Sequence, residues 1–149
     1  MKANRFFSEE QQQAIVTATM HAEHCTSGEI RVHIEPICQT DPMTRAVKVF
    51  DRLKMYDTAA RNGVLIYLAF ESKACAIIGD IAINEVTPAN FWDEILSQMK
   101  SAFASGDFVG GIVNAIEAVG KALSEFFSYQ EDDINELPDT ISFGGEDNE

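Results

Sequence analysis

The chain has 149 residues, of which 46% are hydrophobic, and it carries a formal net charge of −13. This length suits one domain with one sizeable core, so a second domain is not expected. The negative charge repels a phosphate backbone and no basic face offsets it, which argues against nucleic acid as a partner.

The start of the chain and its apolar runs also limit the class of protein. No run approaches the roughly 20 apolar residues that a membrane helix needs, and the longest covers residues 63–70. Lys2 and Arg5 are not followed by the long apolar stretch of a secretory signal. We therefore expect a soluble, cytoplasmic monomer without a membrane span. The three cysteines form no CxxC pair, which argues against a disulfide framework or a zinc knuckle.

A capping box predicts the first helix, since Ser8 is followed three residues later by Gln11. We expect this helix to end near His24. Apolar and polar residues alternate over residues 29–35, a pattern that predicts a strand covered on one face only. Pro36 ends or bends that strand.

Asp41 and Pro42 suit the N-cap and first position of a second helix. Its inner stripe is expected to consist of Met43, Ala46, Val47, Phe50 and Leu53. Residues 63–70 form a continuous apolar run, as in a central strand buried on both faces. Three polar residues separate this run from residues 74–79, which predicts an antiparallel hairpin.

Two further helices are predicted after the hairpin. Thr87 and Pro88 repeat the cap-plus-proline signal, and apolar residues at helical spacing continue to Phe103. The last helix is expected over residues 107–127, after the break at Gly106. The first two strands should be parallel and joined by a right-handed crossover through the second helix. The predicted fold is therefore an α/β sandwich with a short mixed sheet and helices on both faces.

The acidic charge is concentrated at the end of the chain. No Lys or Arg follows Lys121, and residues 129–149 hold eight Asp and Glu. This composition predicts a domain over residues 1–128 and an acidic, flexible tail over residues 129–149. Four apolar residues leave open whether part of the tail docks. They are Ile134, Leu137, Ile141 and Phe143.

Four short segments resemble the TPM domain family. Residues 26–32 look like the family's first strand, residues 61–66 like its NGVL strand, residues 78–80 like its glycine-rich turn, and residues 106–111 like its late GDY…G segment. The similarity covers about residues 8–125. It implies a Rossmann-like α/β sandwich, divalent cation binding and a role as an accessory or repair factor. It also implies a possible phosphatase activity, for which the family is partly named.

Residues 24–31 fit the HCxxGxxR pattern of cysteine-dependent phosphatases. That chemistry needs the cysteine on a loop that runs from a strand into a helix, whose N-terminus binds the phosphate. Here the predicted order is reversed, because a helix precedes Cys25 and a strand follows Gly28. We therefore expect Cys25 not to be catalytic.

Polar residues near one predicted edge of the sheet suggest a cation site. The end of the second helix, the start of the strand at Gly63 and the end of the strand at Gly79 should meet there. Carboxylate and amide oxygens on loops suit calcium or magnesium. The candidate ligands are Asp57, Asn62, Asp80, Asn84 and Glu85, with Glu29 as a weaker one. The alternative is that Asp57 and Asp80 are ordinary turn or capping residues.

The sequence supports three functional hypotheses. The leading one is a small cytoplasmic module that binds a divalent cation and serves as an accessory or interaction domain. The second is a metal-assisted phosphomonoesterase that uses the same carboxylate edge, although no clear nucleophile or general base is evident. The third is a protein-binding domain without a metal.

Overall fold

The computed structural model describes residues 2–129 and 135–144. In chain order, the elements in those residues are α1 (Ala3–Phe6), α2 (Glu9–Glu23), β1 (Glu29–Glu35), α3 (Pro42–Arg52), β2 (Gly63–Ala69), β3 (Ala74–Gly79), α4 (Ile81–Val86), α5 (Asp93–Ala104), α6 (Phe108–Ser124) and β4 (Ser142–Phe143). The fold is therefore mixed α/β. None of the described helices is long and apolar enough to cross a membrane.

The four strands form one open mixed sheet in the order β3-β2-β1-β4. β1 and β2 are parallel, with Glu29 opposite Gly63 and Glu35 opposite Ala69. β2 and β3 are antiparallel and consecutive, as the predicted hairpin requires. β4 adds to the free edge of β1 and runs parallel to it. The predicted parallel pair and the predicted hairpin are both confirmed.

Helices pack on both faces of the sheet, because successive side chains of a strand point to opposite sides. On one face, Ile30, Ile66 and their neighbours contact the buried stripes of α2, α5 and α6. On the other face, Leu65 and Tyr67 contact α3. This explains why β2 is buried along its whole length.

Side-chain caps fix the starts of α2 and α3 as predicted. Ser8 accepts a hydrogen bond from the Gln11 amide, and the Gln11 side chain accepts one from the Ser8 amide. The Asp41 carboxylate accepts bonds from the first turn of α3, which has Pro42 at its first position. Such caps satisfy backbone donors that have no partner within the helix.

The region between β3 and α5 differs from the prediction. Asp80 begins a short helix, α4, that was not predicted, and Thr87 ends this helix instead of starting the next one. Turns follow, in which the Phe91 amide bonds to the Pro88 carbonyl. α5 then begins at Asp93. The prediction failed because the cap-plus-proline signal does not distinguish a helix start from the turn after a helix.

The prediction that β1 is covered on one face only is wrong. Its polar residues Glu29, His33 and Glu35 are buried as well as its apolar ones. His33 Nδ1 lies 2.9 Å from Ser142 Oγ, and its Nε2 lies 3.0 Å from Glu35 Oε1. The polar face is thus covered by other parts of the chain, which provide hydrogen-bond partners for His33 and Glu35, whereas the buried Nε of Arg31 has none among the described residues.

Residues 135–144, which we call the C-terminal strap, pack against the domain. Leu137 is buried in the core between the sheet and α3. Beyond it, β4 pairs with β1 opposite His33 and Ile34. The sequence left docking open for this part of the predicted tail, and these residues do dock. Ile134 and the acidic residues at 131–133 lie outside the described residues.

Candidate functional site

Three of the predicted cation ligands lie at the same edge of the sheet. Glu29 begins β1 opposite Gly63, which follows Asn62, and Gly79 at the end of β3 lies opposite Val64. Asp80 comes directly after Gly79. The strand register therefore brings Glu29, Asn62 and Asp80 to one end of the sheet, as the topology argument predicted.

Asp80 is nevertheless fully engaged by its neighbours. Its two carboxylate oxygens accept hydrogen bonds from Arg61 Nε and Nη2 at 2.7 and 2.9 Å. Oδ1 also accepts the Ile81 amide at 2.8 Å and so caps α4. A two-bond pair with arginine is a strong structural contact. The capping alternative therefore describes Asp80 in this structure.

The other predicted ligands are dispersed. Asn62 is buried, with its side-chain nitrogen 3.4 Å from Ser27 Oγ. Asn84 donates to the Gly79 carbonyl at 3.2 Å, whereas Asp57 and Glu85 are exposed. Within residues 2–129 and 135–144, no three His, Cys, Asp or Glu side chains form a group that could hold a metal ion. The six predicted ligands thus do not converge.

A different group of carboxylates lines a pocket of about 130 Å³ at the same end of the molecule. We call it the acidic pocket. Its walls come from the end of α2, the loop at residues 26–28, the start of β1 and the strap. The carboxylates that line it are Glu23, Glu29 and Asp139. Met20 and Tyr129 add apolar surface at its rim.

Backbone contacts hold these carboxylates in place. Glu23 Oε2 accepts the Ile30 amide at 2.9 Å, which ties the end of α2 to β1. Glu29 Oε1 accepts the Leu137 amide at 2.6 Å, which ties β1 to the strap. Gly28 belongs to the loop at residues 26–28 that lines the pocket, and a Cβ there would come within 2.8 Å of Leu123 Cδ1. The floor of the pocket is therefore closely packed.

The electrostatics of the pocket are unfavourable for its negative charges. Burial, together with a hydrogen bond to Asp139, raises the pKa of Glu23 to about 9. Burial raises the pKa of Glu29 to about 7, and the nearby Glu136 adds to this against the opposing bond from Leu137. The buried Oδ1 of Asp139 receives no hydrogen bond. Asp139 thus contributes to the raised pKa of Glu23, and Glu136, which is exposed, contributes to that of Glu29.

Sequence reasoning identified Glu29, placed Glu136 only in the solvated acidic tail, and missed Glu23 and Asp139. Glu136 and Asp139 fall in the predicted tail, and Glu23 is one of many polar residues on α2. The bond between Glu29 and the strap joins residues 108 positions apart. No spacing in the sequence reports such a contact, and the acidic composition of the tail gives no sign of it either.

The phosphatase-like motif at residues 24–31 lies beside this pocket. Cys25 follows the end of α2 and precedes β1, in the order that the sequence predicted. Its thiol is exposed and lies 3.6 Å from the His21 carbonyl. The last turn of a helix presents carbonyl oxygens, which do not bind phosphate. This placement supports the expectation that Cys25 is not catalytic.

Comparison with known proteins adds family and fold evidence. The TPM domain model matches residues 1–122. The NMR structure of BA42 from the psychrophilic bacterium Bizionia argentinensis is 46% identical, covers 94% of this chain and 97% of its own, and has a TM-score of 0.88. The N-terminal domain of cg2496 from Corynebacterium glutamicum is 17% identical over 84% of this chain and 79% of its own, with a TM-score of 0.64, and supports the fold alone. No curated protein matches.

Proposed function

The chain belongs to the TPM domain family, and on this premise we propose that it is an accessory module that binds a divalent cation, calcium or magnesium, at the acidic pocket. The observation that carries the proposal is the pairing of Glu23 with Asp139 beside Glu29 and Glu136. In the described part of the chain, none of these four carboxylates forms an ion pair with a basic side chain. A bound cation would displace the proton that the raised pKa keeps on Glu23 and would pair with the carboxylates in its place.

The donor set fits a hard cation. Calcium takes six to eight oxygen ligands and magnesium takes six, from carboxylates, carbonyls, hydroxyls and water. The pocket offers carboxylates together with the side chains of Thr26 and Ser27. A cation held by Glu23 and Asp139 would complete its shell with these other oxygens. The buried Oδ1 of Asp139, which receives no hydrogen bond, is the atom best suited to a cation.

An NMR titration with calcium chloride and then magnesium chloride tests this function. We expect saturable shifts of the amides at residues 23–30 and 135–140, since both segments line the pocket. Glu23→Gln should weaken the affinity by about tenfold or more, because it removes a ligand charge without changing side-chain size. Glu117→Gln is the matched control, since Glu117 is exposed on α6 and the change in net charge is the same.

Two outcomes would contradict the proposal. Equal affinities of Glu23→Gln and Glu117→Gln would show that the pocket does not hold the cation. Loss of cation binding in Asp57→Asn would instead indicate that the cation binds at the sheet edge with Asp57 that the sequence suggested. Hydrolysis of a phosphomonoester that requires the cation and is lost in Glu23→Gln would favour the metal-assisted phosphomonoesterase over a pure binding module.

A further inference from the structure

The outer edge of β4 (Ser142–Phe143) is a free edge of the sheet. β4 pairs with β1 on one side, and no strand within residues 2–129 and 135–144 lies on its other side. Successive residues of a strand direct their backbone groups to opposite edges. The Gly144 amide donates to the Ile34 carbonyl of β1 at 2.9 Å, so the amide and carbonyl of Phe143 point away from β1. Phe143 therefore offers one donor and one acceptor to a further strand.

The opposite edge of the sheet, β3, is covered. Cys75, Ala76 and Ile77 at its centre are only 5%, 3% and 1% exposed, because α3 and α5 pack against this strand. Ile141 and Phe143 are instead partly exposed. Residues 141–144 also contain no charged residue and no proline, which natural proteins place on edge strands to prevent the addition of another strand. Of the two edges, β4 is therefore the one that is open to pairing.

A groove of about 230 Å³ lies between the β4 edge and α2. Val16 of α2 gives it one apolar wall, and Ile141 and Phe143 give it the other. The Ser142 side chain meets His33 on the opposite face of the sheet, so the Phe143 side chain lies on the face that α2 covers. A strand paired with β4 would direct every second side chain to this same face. One apolar side chain of such a strand would enter the groove.

The charge beside the groove determines which partner fits it. Glu9 is the charged residue that lines the groove, and Glu10 follows it in the first turn of α2. These carboxylates attract a positively charged segment. A second copy of this chain carries a net charge of −13 and is repelled. The occupant that suits the edge is therefore an extended segment with basic and apolar residues in alternation.

We infer that the outer edge of β4 binds an extended, basic segment of a partner protein by strand addition. Backbone hydrogen bonds to Phe143 extend the sheet by one strand, an apolar side chain enters the groove, and a lysine or arginine beside it contacts Glu9. Main-chain bonds supply affinity in this mode, and the alternate side chains supply specificity. The described residues that line this groove are all different from those that line the acidic pocket, so the inference does not depend on cation binding.

An NMR titration of the full-length protein with a short synthetic peptide, in which lysine alternates with valine, tests the inference. We expect saturable shifts of the amides of Val16 and of residues 141–144. A peptide in which glutamate alternates with valine is the control and should leave these amides unchanged. Equal binding of both peptides, or shifts confined to other parts of the chain, would overturn the inference. Shifts of residues 141–144 on raising the protein concentration alone would assign the edge to a second copy and overturn it as well.

Phe143→Pro removes the outward backbone donor. Proline is tolerated on an edge strand whose amide does not bond to its neighbour, so the pairing of β4 with β1 should persist. We expect its affinity for the lysine peptide to fall about tenfold or more. Phe143→Leu keeps the amide and an apolar side chain, and it should bind like the wild type.

Val16→Lys gives a second measurement that leaves β4 untouched. The added positive charge in the groove should also lower the affinity for the lysine peptide about tenfold or more. Val47→Lys is the matched control, since Val47 is 42% exposed and belongs to α3, which packs on the opposite face of the sheet. Wild-type affinity in both Phe143→Pro and Val16→Lys would overturn the inference and leave the proposed cation site unaffected.

Discussion

Glu35 is an example of how single residues set the chemistry of this interior. Its side chain is 1% exposed, yet it accepts bonds from Arg45 Nε at 2.9 Å and Nη2 at 2.8 Å, and from the Tyr67 hydroxyl. Burial raises the pKa of this carboxyl, but the bonds from His33, Arg45 and Tyr67 outweigh burial and lower it to about 2. Burial and the contact with Glu35 raise the pKa of Tyr67 far above its usual value. Glu35 therefore stays charged and Tyr67 stays protonated.

The lowered pKa of Glu35 makes part of the stability depend on pH. A carboxyl whose pKa is lower in the folded state stabilises the fold above its unfolded pKa of about 4.5, and this contribution is lost as the pH falls through about 2. We expect the contribution to be roughly 3 kcal/mol. Glu35→Gln should lack it already at pH 7, so the stability difference from the wild type should shrink as the pH falls from 5 to 2. Urea unfolding at several pH values measures this difference.

Glu117→Gln is the control for the Glu35 experiment. The side chain of Glu117 is exposed, so the stability difference between this variant and the wild type should not shrink as the pH falls. The pKa values of Glu23 and Glu29 are raised, so these two groups lower the stability as the pH rises above about 4.5. Both groups are present in the wild type and in Glu35→Gln, and their effect therefore cancels in the difference between the two proteins. A constant difference between wild type and Glu35→Gln over this range would contradict the argument.

At the scale of elements, the close contact between α2 and α6 sets the position of the end of α2, which forms one wall of the acidic pocket. Gly120 lies against Ala22, and a Cβ at position 120 would come within 2.8 Å of Ala22 Cβ and 3.2 Å of its Cα. Ala22 directly precedes Glu23, which lines the pocket. The absence of a side chain at Gly120 thus sets how closely the end of α2 approaches the core.

Gly120→Ala should destabilise the protein although alanine favours helices by about 1 kcal/mol over glycine. The added methyl group meets backbone atoms of α2, which cannot turn aside, so we expect a loss of about 1–3 kcal/mol. Asn114→Ala is the control, because it lies on an exposed position of the same helix. Urea unfolding compares the two variants, and a Gly120→Ala protein as stable as the wild type would show that the helices can separate freely.

At the scale of the whole molecule, the strap completes the second layer of the core. α3 contacts β2 and β3 on that face of the sheet, while Leu137 and β4 come from the end of the chain and reach β1. The core on this face of the sheet is therefore built from α3 together with residues near the end of the chain. It depends on contacts between segments that are far apart in the sequence.

Leu137→Ala tests how much the packing of the strap against the core contributes to the free energy of unfolding. Truncating a buried leucine removes apolar contacts and leaves a cavity, and we expect a loss of about 2–4 kcal/mol. Met43→Ala is the matched control, since Met43 is 42% exposed and should lose much less. Chemical unfolding gives both values, and a loss below about 1 kcal/mol for Leu137→Ala would mean that the strap adds little to the core.

Local signals in the sequence were enough for most of the elements. The caps at Ser8 and Asp41 and the apolar run of β2 each depend on a few neighbouring residues. The parallel and antiparallel pairings followed from the order of the elements, and the TPM resemblance followed from short motifs in order. These features were predictable because backbone hydrogen bonding and side-chain periodicity act over short stretches of chain.

Only the tertiary structure decided the environment of the polar residues. The alternation in β1 reports which residues are polar, but it does not report that His33 meets Ser142 or that Glu29 meets Leu137, each more than 100 positions away. Asp80 has the same residue type as a cation ligand, and its pairing with Arg61 settles its role in this fold. Burial and partners depend on which distant segments come together, and the chain encodes this only through its complete packing.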